Sequence, residues 1–373
     1  MIRFALRFIS YDKPKSIGVI LGIVISIFLV GQQTGIFLFL TGAMSALVDN
    51  IEADLWVVDS RTTNANALGT IDVRIGRQVE SLPGVFKASP LVFSGGTAKF
   101  RGGQSAPVLV IGAQPPRFRG GPWNIIEGSL SDLVEEGAVS TDVFDKKTLN
   151  NVETGTSFEI NGRRVTATVQ TRGVRGFGAT YVFTSLDRAR ALGGLSVTKV
   201  SAFLIELDGN VEAESLRDHI NDAIYGVRAW TKKDFSRTTV STILSTSGIA
   251  LSIGTLIIFA ALSGIIIIGL TMYSAAVDRL RDYGTLKAIG ADNRYIRNLI
   301  LTQALFFALI GYGIAVALIE GFRSGIANSG VLFEYGTPIK IGFFVMTLII
   351  SMGGAVFAMR RIGKLEPASV FRN

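Results

Sequence analysis

The chain alternates between long stretches without a single charge and stretches in which charge recurs every few residues. No Asp, Glu, Lys or Arg occurs in Ser16–Val48, Gly248–Val277, Asn298–Ile319 or Ile341–Met359. Each run approaches or exceeds the roughly 20 residues a helix needs to cross about 30 Å of hydrocarbon. Helices of soluble proteins average only about 11 to 12 residues. The pattern therefore predicts an α-helical polytopic membrane protein with four transmembrane helices. A large mixed α/β extracytoplasmic domain is expected between helices 1 and 2.

The charge-poor and charge-rich runs divide the sequence as follows: 1–15 a cytoplasmic amphipathic segment, 16–48 the first span, 49–240 the extracytoplasmic domain, and 241–277 the second span with an external extension. After these come 278–297 as a cytoplasmic loop, 298–319 as the third span, 320–340 as a short external loop, 341–359 as the fourth span and 360–373 as a cytoplasmic tail. In the first segment Ile2, Leu6 and Ile9 recur at helical spacing beside Arg3 and Arg7, which suits a short helix lying along the inner membrane surface. The basic start MIRFALRFISYDKPK resembles the opening of a secretory signal, but the apolar run behind it far exceeds the roughly 7 to 15 residues of a signal core. It is expected to remain as an anchor.

Within 49–240 the periodicity changes. ADLWVVD, APVLVIGA, TSFEIN, RRVTATVQTRG, ATYVFTS and SAFLIELD are rich in β-branched and aromatic residues between turn formers, and read as strands. VRIGRQVESL, SLDRARALGG and NVEAESLRDHINDAI read as helices, the last with Leu216 and Ile220 on one face. FSRTTVSTILSTSG predicts a long helix running from outside into the second span.

Composition refines this picture at three points. The 373 residues are 48% hydrophobic and only 18% charged, with a mean hydropathy of +0.43. There is no cysteine, so the external domain relies on its own core rather than on disulfides. The net charge of +8 lies largely beside the spans: Arg3, Arg7, Lys13 and Lys15 before the first, Arg279, Arg281, Lys287, Arg294 and Arg297 between the second and third, Arg360, Arg361, Lys364 and Arg372 after the fourth. The loop between the third and fourth holds only Arg323 and Lys340. Positive residues stay inside, which puts both termini and residues 278–297 in the cytoplasm. The same distribution leaves no contiguous basic pattern for nucleic acid.

Candidate chemistry is sparse. The carboxylates Asp132, Glu135, Glu136, Asp142 and Asp145 have no His or Cys beside them and read as exposed acidic turns. The one histidine, His219, excludes a histidine-rich metal cluster, and no HExxH or calcium-loop spacing occurs. The glycine-rich pieces FSGG, FRGGQ, RFRGGP and GVRGFGA are not the GxxxxGK[ST] phosphate loop. No charged residue lies deep in a span, as an ion pathway requires. In the first span Gly18 and Gly22 form a GxxxG spacing suited to close helix packing, and Gln32 and Gln33 are expected to face protein or a polar cleft rather than lipid.

The charged segment DRLRDYGTLKAIGADNRYI, Asp278 to Ile296, stands out between two apolar runs. Leu280, Leu286 and Ile289 are apolar while Asp278, Arg279, Arg281 and Asp282 can face water, Gly284 and Gly290 permit breaks or close approach, and Asp292 can start the next helix. A membrane-surface helix and a partner-docking helix account for this alternation equally. The pattern of a charged cluster followed by GTLKAIGA, with the terminal MRRIGKLEPASVFR and the order of one span, a large external domain and three spans, resembles the FtsX-like and MacB-like permeases of type VII ABC systems. Members often have Glu-Arg before this helix and Glu-Ile-Gly within it, where this chain has Asp278-Arg279 and Asp282-Tyr283-Gly284. The layout is most similar to the DevC branch.

That resemblance implies a subunit that is not itself an enzyme and binds no cofactor directly, ATP and Mg being used by a partner ABC ATPase. MacB-like chains can carry their own N-terminal ATPase; no such segment occurs in this sequence, so a separate chain is implied. Asp278, Arg279, Arg281, Asp282, Gly284, Leu286, Lys287 and Ile289 become the ATPase-docking candidates. The other implied partners are a second permease, as homodimer or as heterodimer with a close relative, membrane lipids, a periplasmic membrane-fusion adaptor and an outer-membrane channel. The implied function is export from the periplasm or outer leaflet by mechanotransmission. The alternative is a non-transporting subunit that regulates an envelope peptidoglycan hydrolase.

Overall fold

The computed structural model describes residues 13–209, 211–278, 282–283, 285–286 and 289–362. They fall into two compact units: one runs up to Phe39 and resumes at Gly248, the other is Leu40–Ser247. Helix α1 (Lys13–Asn50) starts in the first and ends in the second. Its last turns supply Met44, Leu47 and Val48, all buried within the second unit.

The second unit is built on twelve strands and four helices among the described residues: β1 (Leu55–Asp59), β2 (Ile71–Asp72), α2 (Ile75–Glu80), β3 (Val85–Lys99), β4 (Ser105–Ala113), β5 (Ile125–Glu127), β6 (Ala138–Asp142), β7 (Ser157–Ile160), β8 (Arg163–Thr171), β9 (Thr180–Ser185), α3 (Leu186–Gly193), β10 (Lys199–Val200), β11 (Ala202–Leu207), α4 (Ala213–Ala223), β12 (Val227–Thr231) and α5 (Lys232–Ser247). Ten strands form one sheet in the order β12-β1-β11-β3-β7-β8-β5, with β4 on β3 and β9, and β6 on β8; β2 and β10 pair separately. Most pairings are antiparallel, β4 with β9 and β6 with β8 being parallel.

Strand β1 shows why the apolar runs sit where they do. It lies between β11 and β12 with Leu55, Trp56, Val57 and Val58 all buried, so the run is continuous rather than alternating. Successive side chains still point to opposite faces. Leu55 and Val57 join one core with Val79, Phe203, Leu216 and Ile220. Trp56 and Val58 join another with Leu47, Ile51, Leu204 and Phe235. Trp56 and Phe235 are fully buried and their rings lie 5.7 Å apart; burial of each side chain contributes about 1.5–3 kcal/mol. Helix α5 is held in this unit by polar contacts as well, Lys232 donating to Ile51 O at 3.0 Å and Thr239 Oγ1 accepting from Ala65 N at 3.0 Å.

The remaining helices are α6 (Ile249–Asp278), α7 (Asn293–Ala327) and α8 (Thr337–Ile362). With α1 they are long and apolar enough to cross a membrane. The helix expected to run unbroken from outside into the second span is interrupted: α5 stops at Ser247, and Gly248 at φ +67° breaks the chain before α6. An L side chain rarely adopts that angle, which glycine adopts without steric cost.

In the first unit, Val19, Ile23, Ile27 and Val30 form the inward stripe of α1, against Ile268 and Met272 of α6, Ile300 and Phe307 of α7 and Ile350 of α8. Ile17, Leu21, Ile25 and Leu29 form the opposite stripe and are 39–55% exposed. The helix is thus apolar on both sides, the signature of a segment whose solvent is lipid. Buried hydroxyls are satisfied by backbone carbonyls, Ser351 Oγ of α8 donating across to Ala304 O of α7 and Thr347 Oγ1 to Phe343 O one turn away, each at 2.7 Å.

Candidate functional site

The turn from α6 to α7 is the region that the sequence marks most strongly. At its start Asp278 forms an ion pair with Lys15 at the beginning of α1. That docking candidate is therefore engaged within the chain. Tyr283 is 6% exposed and packs with Ala276 and Leu299, with Leu286 and Ile296 against the same cluster. Leu286, another docking candidate, thus serves partly as an internal anchor.

The turn closes tightly. Gly290 sits at φ +98°, and Ala291 N donates to Leu286 O at 2.9 Å across it, the closing bond of a Schellman cap. Asp292 then caps α7, its side chain accepting from Asn293 N at 2.6 Å, which also places a carboxylate at the positive end of the helix dipole. Asp282 faces outward and Ile289 is 77% exposed. Beside the ion-paired Asp278, Asp282 and Ile289 are therefore the described docking candidates that lie exposed and outside the internal cluster. Arg279, Arg281, Gly284 and Lys287 lie outside the described residues, as do the expected interfacial helix and the terminal KLEPASVFR.

The intramembrane candidates separate into two groups. Gly18 and Gly22 face α6: a Cβ built on Gly22 would lie 2.9 Å from Ile267 Cγ2, and one on Gly18 3.4 Å from Thr271 Cγ2. Gln32 and Gln33 are partly buried on the next turns.

Two features of the second unit escaped the sequence reading. Asp142 and Asp145, expected in exposed turns, are both 2% exposed. Asp142 accepts from Val174 N at 2.8 Å, Phe144 N at 2.9 Å and Thr171 Oγ1 at 2.9 Å; Asp145 pairs with Arg175 at 2.9 Å. Together they fasten the loop that follows β8. Burial pushes the Asp145 carboxyl above the usual range, an effect opposed by the Arg175 charge. The four residues Asp142–Asp145 are too few to show a hydrophobic alternation that could have signalled burial. Elsewhere, Lys99, Arg101, Glu159 and Arg164 line an open cleft of about 620 Å³ beside the β3–β4 turn. Among the described residues no group of His, Cys, Asp and Glu could hold a metal ion.

The described residues thus combine four helices able to span a membrane, a mixed sheet domain inserted after the first, and a capped turn between the second and third. Residues 16–223 match the MacB-like periplasmic core domain and residues 254–367 the FtsX-like permease C-terminal domain. The chain belongs to this family of FtsX-like and MacB-like ABC transporter permeases. It is 25% identical over 391 aligned positions to an uncharacterized ABC transporter permease of Mycobacterium tuberculosis, covering 100% of this chain and 99% of the relative. A second such permease, from Mycobacterium bovis, is 29% identical over 110 residues, 28% of this chain and 30% of the relative. Among solved structures, the periplasmic region of MacB from Actinobacillus actinomycetemcomitans aligns with a TM-score of 0.38 and 10% identity, over 54% of this chain and 99% of that one. The extracellular domain of the transporter YknZ from Gram-positive bacteria aligns with 0.35 and 11%, over 48% and 99%.

Family membership makes this chain a non-catalytic, multi-pass inner-membrane subunit of an ABC transporter. ATP hydrolysis belongs to an ABC ATPase partner, and the permease converts it into motion in the MacB manner.

Proposed function

We propose that the chain is the permease of an exporter that acts on substrate at the periplasmic side or outer leaflet. In this reading the ATPase docks on the α6–α7 turn through Asp282 and Ile289, with Arg279, Arg281 and Lys287 contributing charge register. The observation that carries it is the turn itself: anchored by Tyr283, closed by Gly290 and Asp292, and presenting an exposed isoleucine between two spanning helices. A push on this turn acts on α6 and α7 together, and α1 is the element that continues into the core of the second unit.

Two copies of the chain with two ATPase chains complete the proposed assembly. A DevC-type arrangement with a membrane-fusion adaptor and an outer-membrane channel is the finer form of the proposal. The test is affinity purification in mild detergent with mass identification of partners. An ABC ATPase with an adaptor supports export, an ATPase with a peptidoglycan hydrolase turns the reading to envelope regulation, and absence of any ATPase overturns the docking assignment.

A further inference from the structure

The segment linking α7 to α8 meets α1 at Gly31. Tyr335 is 7% exposed, and its hydroxyl donates to Gly31 O of α1 at 2.8 Å in a buried contact. Its ring meets those of Phe333 and Phe343 edge-on, with centroids 5.2 and 5.4 Å away. This seat exists because two α1 residues lack side chains. A Cβ on Gly35 would lie 2.5 Å from Phe333 Cζ and 2.6 Å from Tyr335 Oη, and one on Gly31 would lie 2.4 Å from Ile319 Cδ1. Both ends of the linking segment are fixed, since Glu320 on α7 accepts from Arg323 at 2.6 Å and from Lys340 on α8 at 3.1 Å.

The contacted turn is a poor helix former. Gly31 and Gly35 each disfavour helix relative to alanine. Thr34 Oγ1 donates back to Val30 O at 2.8 Å, a back-bond that often bends helices. Such a turn is suited to flexing, and the aromatic pair sits on it.

We propose that residues 328–336 form a clasp on a flexible turn of α1 at Gly31–Gly35, with Tyr335 as its positioning residue. The clasp holds α1 in the arrangement seen and releases it when the ATPase drives the permease. The proposal rests on the coupling reading above and adds the place where motion of α1 is restrained.

Hydrogen exchange on the full chain in detergent, alone and with its copurified ATPase in an ATP-trapped state, tests it. In the chain alone Tyr335→Phe, which keeps the ring and removes one hydrogen bond, is expected to speed exchange of peptides covering 328–336 by roughly 2- to 10-fold. Gly35→Ala is expected to do so more strongly. Gly42→Ala, where a Cβ meets nothing within 4 Å, leaves those peptides unchanged. In the complex, ATP trapping is expected to raise exchange in both 328–336 and 31–39. Unchanged exchange in Tyr335→Phe and Gly35→Ala overturns the clasp. So does an ATP response in the peptides around 282–290 without one in 328–336, and that outcome leaves the coupling reading intact. No nucleotide response anywhere in the chain counts against both.

Discussion

The two units bury apolar side chains against different solvents, and a similar contact therefore has a different value in each. Trp56 and Phe235 leave water when the sheet unit folds, so hydrophobic transfer and packing both contribute. Ile27 is equally buried in the bundle, but its alternative surroundings are lipid chains, and only packing is gained. The bundle accordingly relies on close approach at glycines and on internally bonded hydroxyls. The sheet unit relies on large aromatic and branched side chains.

The largest expected break in this comparison is Phe235→Ala, which should cost about 3–5 kcal/mol, read as faster exchange across β1, β12 and α5. Asp142→Ala follows at about 2–4 kcal/mol, because two backbone N–H groups and one hydroxyl lose their buried acceptor; protease sensitivity of the 172–178 loop reports it. Ile27→Ala should cost only about 1–2 kcal/mol, the packing part alone. Equal costs for Phe235→Ala and Ile27→Ala, by exchange in peptides of each unit, would remove the distinction between the two solvents.

The smallest effect is a pH dependence. The Asp145 carboxyl titrates higher folded than unfolded, so its stabilising contribution is complete below the unfolded value near 4 and is lost as pH rises through the folded value. Thermal scans should show the wild type losing stability over that window relative to Asp145→Asn. A parallel pair of curves would mean that Arg175 fully offsets the burial.

The membrane helices were legible in the sequence as long runs without charge, and six of the strands as short runs rich in β-branched and aromatic residues between turn formers. Strand β3 was missed, since VFKASPLVFSGGTAK contains Pro90, Gly95 and Gly96, all strand-weakening signals. The strand survives because it changes partner near Leu91, pairing with β11 before it and β4 after it. Strand β6 is held by parallel pairing to β8, a long-range contact with little local signature. At the α6–α7 turn the residue types announced a polar break. They could not assign Tyr283 and Leu286 to the internal side and Ile289 to the outside, because that depends on packing against Ala276 and Leu299. The clasp was equally hidden: Gly31 and Gly35 gain meaning only when Tyr335, distant in sequence, meets them.

Ile289 is the residue on which the docking account can be tested without disturbing the fold, since it is exposed whereas Leu286 packs inside. The direct measurement is the amount of ABC ATPase, and of its activity, recovered with Ile289→Asp relative to wild type. Val197→Asp, at a position 73% exposed in the sheet unit, serves as the control. The account predicts at least a tenfold loss for Ile289→Asp, equivalent to about 1.4 kcal/mol of binding, with the control unchanged. Recovery equal to wild type would show that the turn between α6 and α7 is not where the ATPase engages.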